Sequence, residues 1–111
     1  MAERRMFSRR ITSSARFLKM PNDSQVLYFH LCMSADDDGI VEAFAVRQMI
    51  GAKEEAYRNL IARGMITILD SENEIIFIND WLEHNRLRAD RLTPSIYLGL
   101  LENVMPETKL V

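Results

Sequence analysis

The chain holds a single cysteine among its 111 residues, which rules out a disulfide framework and any set of thiols for a metal. Cys32 lies inside an apolar run, and a lone thiol of that kind fits a reducing cytoplasm. Long apolar runs are missing too. The longest near-apolar stretch, VLYFHLCM, is far too short to span a bilayer, and the opening MAERRMFSRR lacks the apolar segment of a secretory signal. Together these absences predict a cytoplasmic protein, neither exported nor held in a membrane. No glycine-rich phosphate loop, nucleophile elbow or His-Glu-x-x-His helix is present. The pattern implies no cofactor and no enzymatic activity.

What is present describes one folded domain. Hydrophobic residues make up 48% and charged residues 27% of the chain, ordinary values for a packed protein of a length that leaves no room for a second core. The net charge of -2 argues against indiscriminate nucleic-acid binding, but it hides a segregation. Residues 1–20 carry Arg4, Arg5, Arg9, Arg10, Arg16 and Lys19 against Glu3 alone, residues 21–83 are strongly acidic, and Arg86, Arg88 and Arg91 restore positive charge after them. Basic flanks on an acidic body suit a polyanion held by the flanks. The competing reading is that these arginines are solvated, or pair with the acidic body.

The order of elements is legible from periodicity and punctuation. TSSARFLKMP offers Ser13 or Ser14 as a helix cap and Pro21 as a stop. NDSQVLYFHLCMSA reads as a long helix whose apolar positions Val26, Leu27, Phe29, Leu31, Cys32 and Met33 cover most of its circumference, which predicts a central, buried helix. Gly39 breaks it and GIVE follows as a short strand; AFAVRQMIG is a brief helix closed by Gly51. KEEAYRNLIARG makes another helix, with Ala56, Tyr57, Leu60 and Ile61 on one face and Gly64 as its stop. MITILD and EIIFIND form a hairpin across SEN, while WLEHN and PSIYLGLLENV look helical. The predicted class is α+β and mainly helical. Two short helices on a tight turn, followed directly by a hairpin, make a winged helix-turn-helix with flanking helices.

The remaining residues sort by chemistry. SADDDG has two spacings of a calcium loop but the wrong residues at its first and last ligand positions, so a turn held by local Asx bonds is expected. His30 and Cys32 diverge on a helix and are expected to pack, whereas His84 is expected at the surface. Trp81, directly after the hairpin, is expected to plug the sheet against the helices rather than touch a partner; Tyr97 is open to either role. Leu27, Leu31, Phe44, Leu60, Ile61, Ile66, Ile76, Ile78 and Trp81 are the expected core.

Four blocks, MAERRMFSRRIT, FLKMPNDSQVLYFHLCMSADDDGIV, MIGAKEEAYRNLIARGMI and INDWLEHNRLRADRLTPSIY, carry a resemblance. Together they resemble the N-terminal domain of phage replisome organiser (replication initiation) proteins, which are similar to the DnaD-type primosomal proteins of Gram-positive bacteria. The resemblance spans residues 1–100 and implies a winged-helix domain, in the cytoplasm of a bacterial host, whose parent protein binds the phage origin and helps recruit helicase-loading proteins. Residues 101–111 then read as a tail, or the start of a linker to a further domain.

Under the DNA-binding reading the contacts would come from Arg4, Arg5, Arg9 and Arg10, from Lys53, Arg58 and Arg63 on the second helix of the pair, and from Arg86, Arg88 and Arg91. Contacts of this kind position a duplex rather than read its bases. Glu54 and Glu55 on the same helix, and the acidic hairpin tip from Asp70 to Glu74, oppose direct insertion into a groove. The alternative is a protein-interaction or self-association module of the replication machinery; a winged-helix transcriptional regulator is a third reading.

Overall fold

The computed structural model describes residues 4–85 as an α+β domain in which six helices surround a three-stranded antiparallel sheet. The path begins with an extended strap, residues 4–8, followed by two single-turn helices, α1 (Arg9–Thr12) and α2 (Ala15–Leu18). Ser14 caps α2 as expected, its hydroxyl accepting from the Phe17 amide at 3.2 Å. Pro21 ends this segment, and its carbonyl takes the amides of Ser24 and Gln25 to start α3 (Asn22–Ser34).

α3 is the helix on which the domain is assembled, but it is not buried all round. Ser24, Leu27, Tyr28, Leu31 and Cys32 line its inner stripe, against α4 (Ala43–Ile50), α5 (Glu54–Ala62) and β1 (Ile40–Glu42). Val26 and Met33 are 49% and 46% exposed, and His30 is exposed as well. A domain of this size places neighbours on one side of its longest helix only, so the expectation of a fully covered helix, with His30 packed, fails on the outer face.

The sheet runs β1-β3-β2, with β2 (Ile66–Asp70) and β3 (Ile75–Ile78) forming the hairpin and β1 pairing on the other edge of β3. Ile40 lies opposite Phe77 and Val41 opposite Ile76; across the hairpin Ile66 lies opposite Ile78. All four residues of β3 are buried, as a central strand covered on both faces demands. The pairing of β2 shifts at Ile68/Asp70, and Glu74 takes a left-handed φ of 52° to close the turn. α4 ends at Gly51, whose φ of 69° supplies the left-handed cap.

Trp81 opens α6 (Trp81–His84) and is completely buried, so it plugs the domain as expected. Its indole N–H donates to the Asp37 carbonyl at 3.0 Å. Beneath the ring is Gly39, at φ 81°, where a Cβ would stand 2.5 Å from the Trp81 Cγ. The acidic turn that delivers Gly39 is the expected Asx structure: Asp36 Oδ1 accepts from the amides of Asp38 (2.9 Å) and Ile40 (3.1 Å).

Seven of the expected core residues are buried, Ile61 is partly so, and Phe44 is 50% exposed. Ala43 and Val46 are the positions of α4 that face inward. Phe44 follows Ala43 by about 100° of helix rotation and so turns outward. Among the described residues no helix is long and apolar enough to cross a membrane. The helix expected at 94–104, Tyr97 and the boundary near residue 100 lie outside the described residues.

The seat of Trp81 predicts an ordering of stabilities. Trp81→Ala should cost about 3–5 kcal/mol. Gly51→Ala, with open space around its Cβ, should cost only the left-handed strain, about 1–2 kcal/mol. Gly39→Ala carries the same strain and also collides with the indole, so its urea midpoint should fall well below that of Gly51→Ala.

Candidate nucleic-acid interface

The amino-terminal arginines divide sharply in their surroundings. Arg5 is 5% exposed in its side chain; its guanidinium donates to the Ala35 carbonyl at 2.7 Å and to Asp37 Oδ1 at 3.3 Å, and lies 4.9 Å from the Trp81 ring centroid. This arginine is part of the packing around Trp81, and its guanidinium is taken up by the Ala35 carbonyl and Asp37 rather than presented to solvent as a phosphate contact would be. Arg10 is exposed but ion-paired to Glu83, and Arg16 pairs with Asp80 at 2.9 Å. Arg4 and Arg9 are exposed and make no ion pair among the described residues. The basic flank is therefore partly spent on the acidic body, and two of its four proposed contacts keep an uncommitted charge.

The strap that carries these residues is fastened to the end of the described chain. The Met6 amide donates to Asn85 Oδ1 at 3.1 Å, the Ser8 amide to His84 Nδ1 at 2.8 Å, and Phe7 packs edge-on against Phe29 (5.1 Å) and His84 (5.5 Å). His84 is 3% exposed. The expectation of a surface histidine is overturned because α6 turns the imidazole inward, onto the strap and the Tyr28 hydroxyl, 2.6 Å from Nε2. Asn85, the residue before Arg86, thus adjoins the strap. Arg86, Arg88 and Arg91 themselves lie outside the described residues.

On α5 the cations occupy the ends. Lys53 is the N-cap and Arg63 the C-cap, both exposed, ten positions apart or about 15 Å along the axis. Between them the outward face presents Glu54, Glu55, Arg58 and Ala62, with Arg58 3.4 Å from Glu54 in an exposed i,i+4 pair. Asn59 is drawn inward, its amide donating to Ser24 Oγ at 3.3 Å. The two glutamates sit in the first turn, where the helix dipole favours negative charge; that placement supports the helix while opposing a phosphate at the same end.

The acidic hairpin tip is largely occupied with its own closure. Asp70 accepts from the amides of Glu72 (3.1 Å) and Asn73 (3.2 Å) and from the Asn73 side chain (2.9 Å), bonds that hold its carboxyl below the usual carboxylate range. Glu74 is gripped by Arg47 through contacts of 2.7, 2.9 and 3.1 Å, and its carbonyl takes the Ala43 amide at 2.8 Å. The Arg47 guanidinium also lies over the rings of Phe44 (5.6 Å) and Tyr57 (5.3 Å). Sequence reasoning missed this clamp. The one trace of it was an isolated arginine in the otherwise uncharged AFAVRQMI.

No group of three metal-ligating side chains occurs among the described residues. Cys32 is buried, its thiol pushed up to about 12 by burial, which leaves it a packing residue rather than a nucleophile.

The two kinds of arginine should separate on mutation. Arg5→Ala should destabilise the domain by about 1–3 kcal/mol, since it removes a buried charge-assisted hydrogen bond and leaves the Ala35 carbonyl unsatisfied. Arg10→Ala, removing an exposed pair, should change stability by less than about 0.5 kcal/mol. Thermal unfolding of both variants checks the contrast.

No protein-family model, curated protein or solved structure matches this chain; what it does must be read from its own residues.

Proposed function

We propose that this is a winged-helix DNA-binding domain of a phage replication initiator, working at the phage origin alongside host helicase-loading proteins. The observation that carries the reading is the succession α3, β1, α4, α5 and the β2–β3 hairpin, with β1 closing the sheet on β3. In this reading α4 and α5 are the helix-turn-helix and the hairpin is the wing. The outer face of α5 is left uncovered, with Lys53 and Arg63 at its two ends.

The contacts available to DNA are then mostly phosphate contacts. Lys53, Arg58 and Arg63 on α5, Arg4 on the strap, and Arg9 and the ion-paired Arg10 just after it are the exposed cations of the proposed set among the described residues, with Arg86, Arg88 and Arg91 following Asn85 in the sequence. Glu54 and Glu55 would keep α5 from seating deeply, so the domain would grip the backbone and leave base readout weak.

A second reading is favoured by a specific observation. Phe44 and Met49 on α4 are 50% and 64% exposed, and with the glutamates of α5 they would suit docking to a protein partner or a second copy better than docking to a polyanion.

Fluorescence anisotropy on duplex and single-stranded DNA at several salt concentrations, paired with sedimentation, separates the two. Under DNA binding, the combined Arg86→Ala, Arg88→Ala, Arg91→Ala variant should bind more weakly, with a salt slope flatter by up to about three units and little change in sequence preference. Glu54→Lys with Glu55→Lys should strengthen duplex binding; a loss of self-association in that variant would instead mark α5 as a protein-docking surface. A folded, self-associating domain that binds neither form of DNA at low salt would end the DNA reading.

A further inference from the structure

His84 is one of two histidines in the chain and both its ring nitrogens are engaged. A backbone amide can only donate, so the Ser8 N–H, 2.8 Å from Nδ1, requires a lone pair there. The imidazole is therefore neutral, with its proton on Nε2, donating to the Tyr28 oxygen at 2.6 Å. Tyr28 and Cys32 both lie on the buried stripe of α3. A second proton has one place to go, Nδ1, where it would point at the Ser8 N–H. Two donors cannot share that line, and the bond that ties the strap to α6 would have to break.

We propose that His84 is a pH-sensitive latch for the amino-terminal strap: the neutral imidazole holds Ser8, and protonation at Nδ1 releases residues 4–8 from the body of the domain. The release would unseat Phe7 from Phe29 and His84, and it would weaken the hold on Arg5.

The charges around the ring set the direction. α3 presents Tyr28 and, behind it, Cys32; the strap presents only the Ser8 amide and the Phe7 ring; α6 and its cap contribute Glu83 and Asp80. Those two carboxylates favour the imidazolium, but each is already paired, Glu83 with Arg10 and Asp80 with Arg16. Burial is the larger influence and holds the His84 pKa below its ordinary value of 6.5. Released from the latch, the ring regains ordinary basicity and binds a proton more readily than when latched. The closed state is thus favoured above about pH 6.5 and loses ground as pH falls from there toward the latched pKa.

Amide exchange and histidine ring shifts, measured by NMR on the full chain between pH 7.5 and 5, test this directly. At neutral pH His84 should show the Nε2–H tautomer. The protection factor of the Ser8 amide should fall about tenfold per pH unit below about 6.5, levelling off once the latched form itself titrates, while Leu31 in α3 keeps its protection. His30→Gln, at an exposed position, should leave this profile intact, and His84→Gln should make Ser8 protection independent of pH. Should His84→Gln not fold, the wild-type profile still decides. The latch is overturned if Ser8 protection stays flat across the range, if Leu31 loses protection in step with Ser8, or if the profile survives in a folded His84→Gln variant.

Discussion

The contact between Trp81 and Gly39 is the constraint on which the rest of the domain depends. The indole occupies the space a side chain at residue 39 would need, so the acidic turn can come close only because that residue is glycine with a left-handed φ. From this one seat three connections run outward. The indole N–H reaches the Asp37 carbonyl, the Arg5 guanidinium covers the ring, and the Gly39 carbonyl takes the Ile78 amide at the end of β3. The turn after α3, the central strand and the amino-terminal strap are thereby joined through residues far apart in the chain. A buried aromatic of this size dominates its surroundings energetically.

The second organising feature is the use of opposite charge. Several carboxylates of the acidic body are consumed in ion pairs within the domain. Asp37 takes Arg5, Asp80 takes Arg16, Glu83 takes Arg10 and Glu74 takes Arg47. These pairs differ in consequence. Arg5 and Arg47 are largely buried and each lies over an aromatic ring, so they fix geometry. Arg10 and Arg16 are exposed and screened, and contribute little to stability. What remains uncommitted among the described cations is sparse: Arg4 and Arg9 near the strap, Lys19 after α2, and Lys53 and Arg63 at the ends of α5.

The strap connects these two features. It carries Arg5 to the indole and brings Phe7 and Ser8 onto α3 and α6. The two ends of the described chain therefore meet, through Met6 with Asn85 and Ser8 with His84. Burial of the His84–Tyr28 pair lowers the imidazole pKa below its ordinary value and keeps that of the Tyr28 hydroxyl above its ordinary range. The joint is thus built from neutral hydrogen bonds, unlike the ion pairs of the surface around it.

Local chemistry determined the elements. A serine cap at residue 13 or 14, Gly51 as a cap, Pro21 as the stop of the segment before α3, the Asx turn before Gly39, and the β-rich runs on either side of the hairpin turn all follow from rules that act within a few residues, and each was legible in the sequence. So was the burial of Trp81, because large aromatic side chains mostly bury their area in cores rather than meet a partner. Which arginine is buried was not legible: Arg5 and Arg9 look alike in sequence, and only the approach of the strap to Trp81 sends one inside while the other stays in water. The same holds for His84, Phe44 and Val26, whose exposure depends on which side of a helix receives a neighbour. The Arg47–Glu74 clamp joins residues 27 positions apart. Periodicity states which residues share a face; only tertiary packing decides whether that face is covered and which distant charge ends beside it.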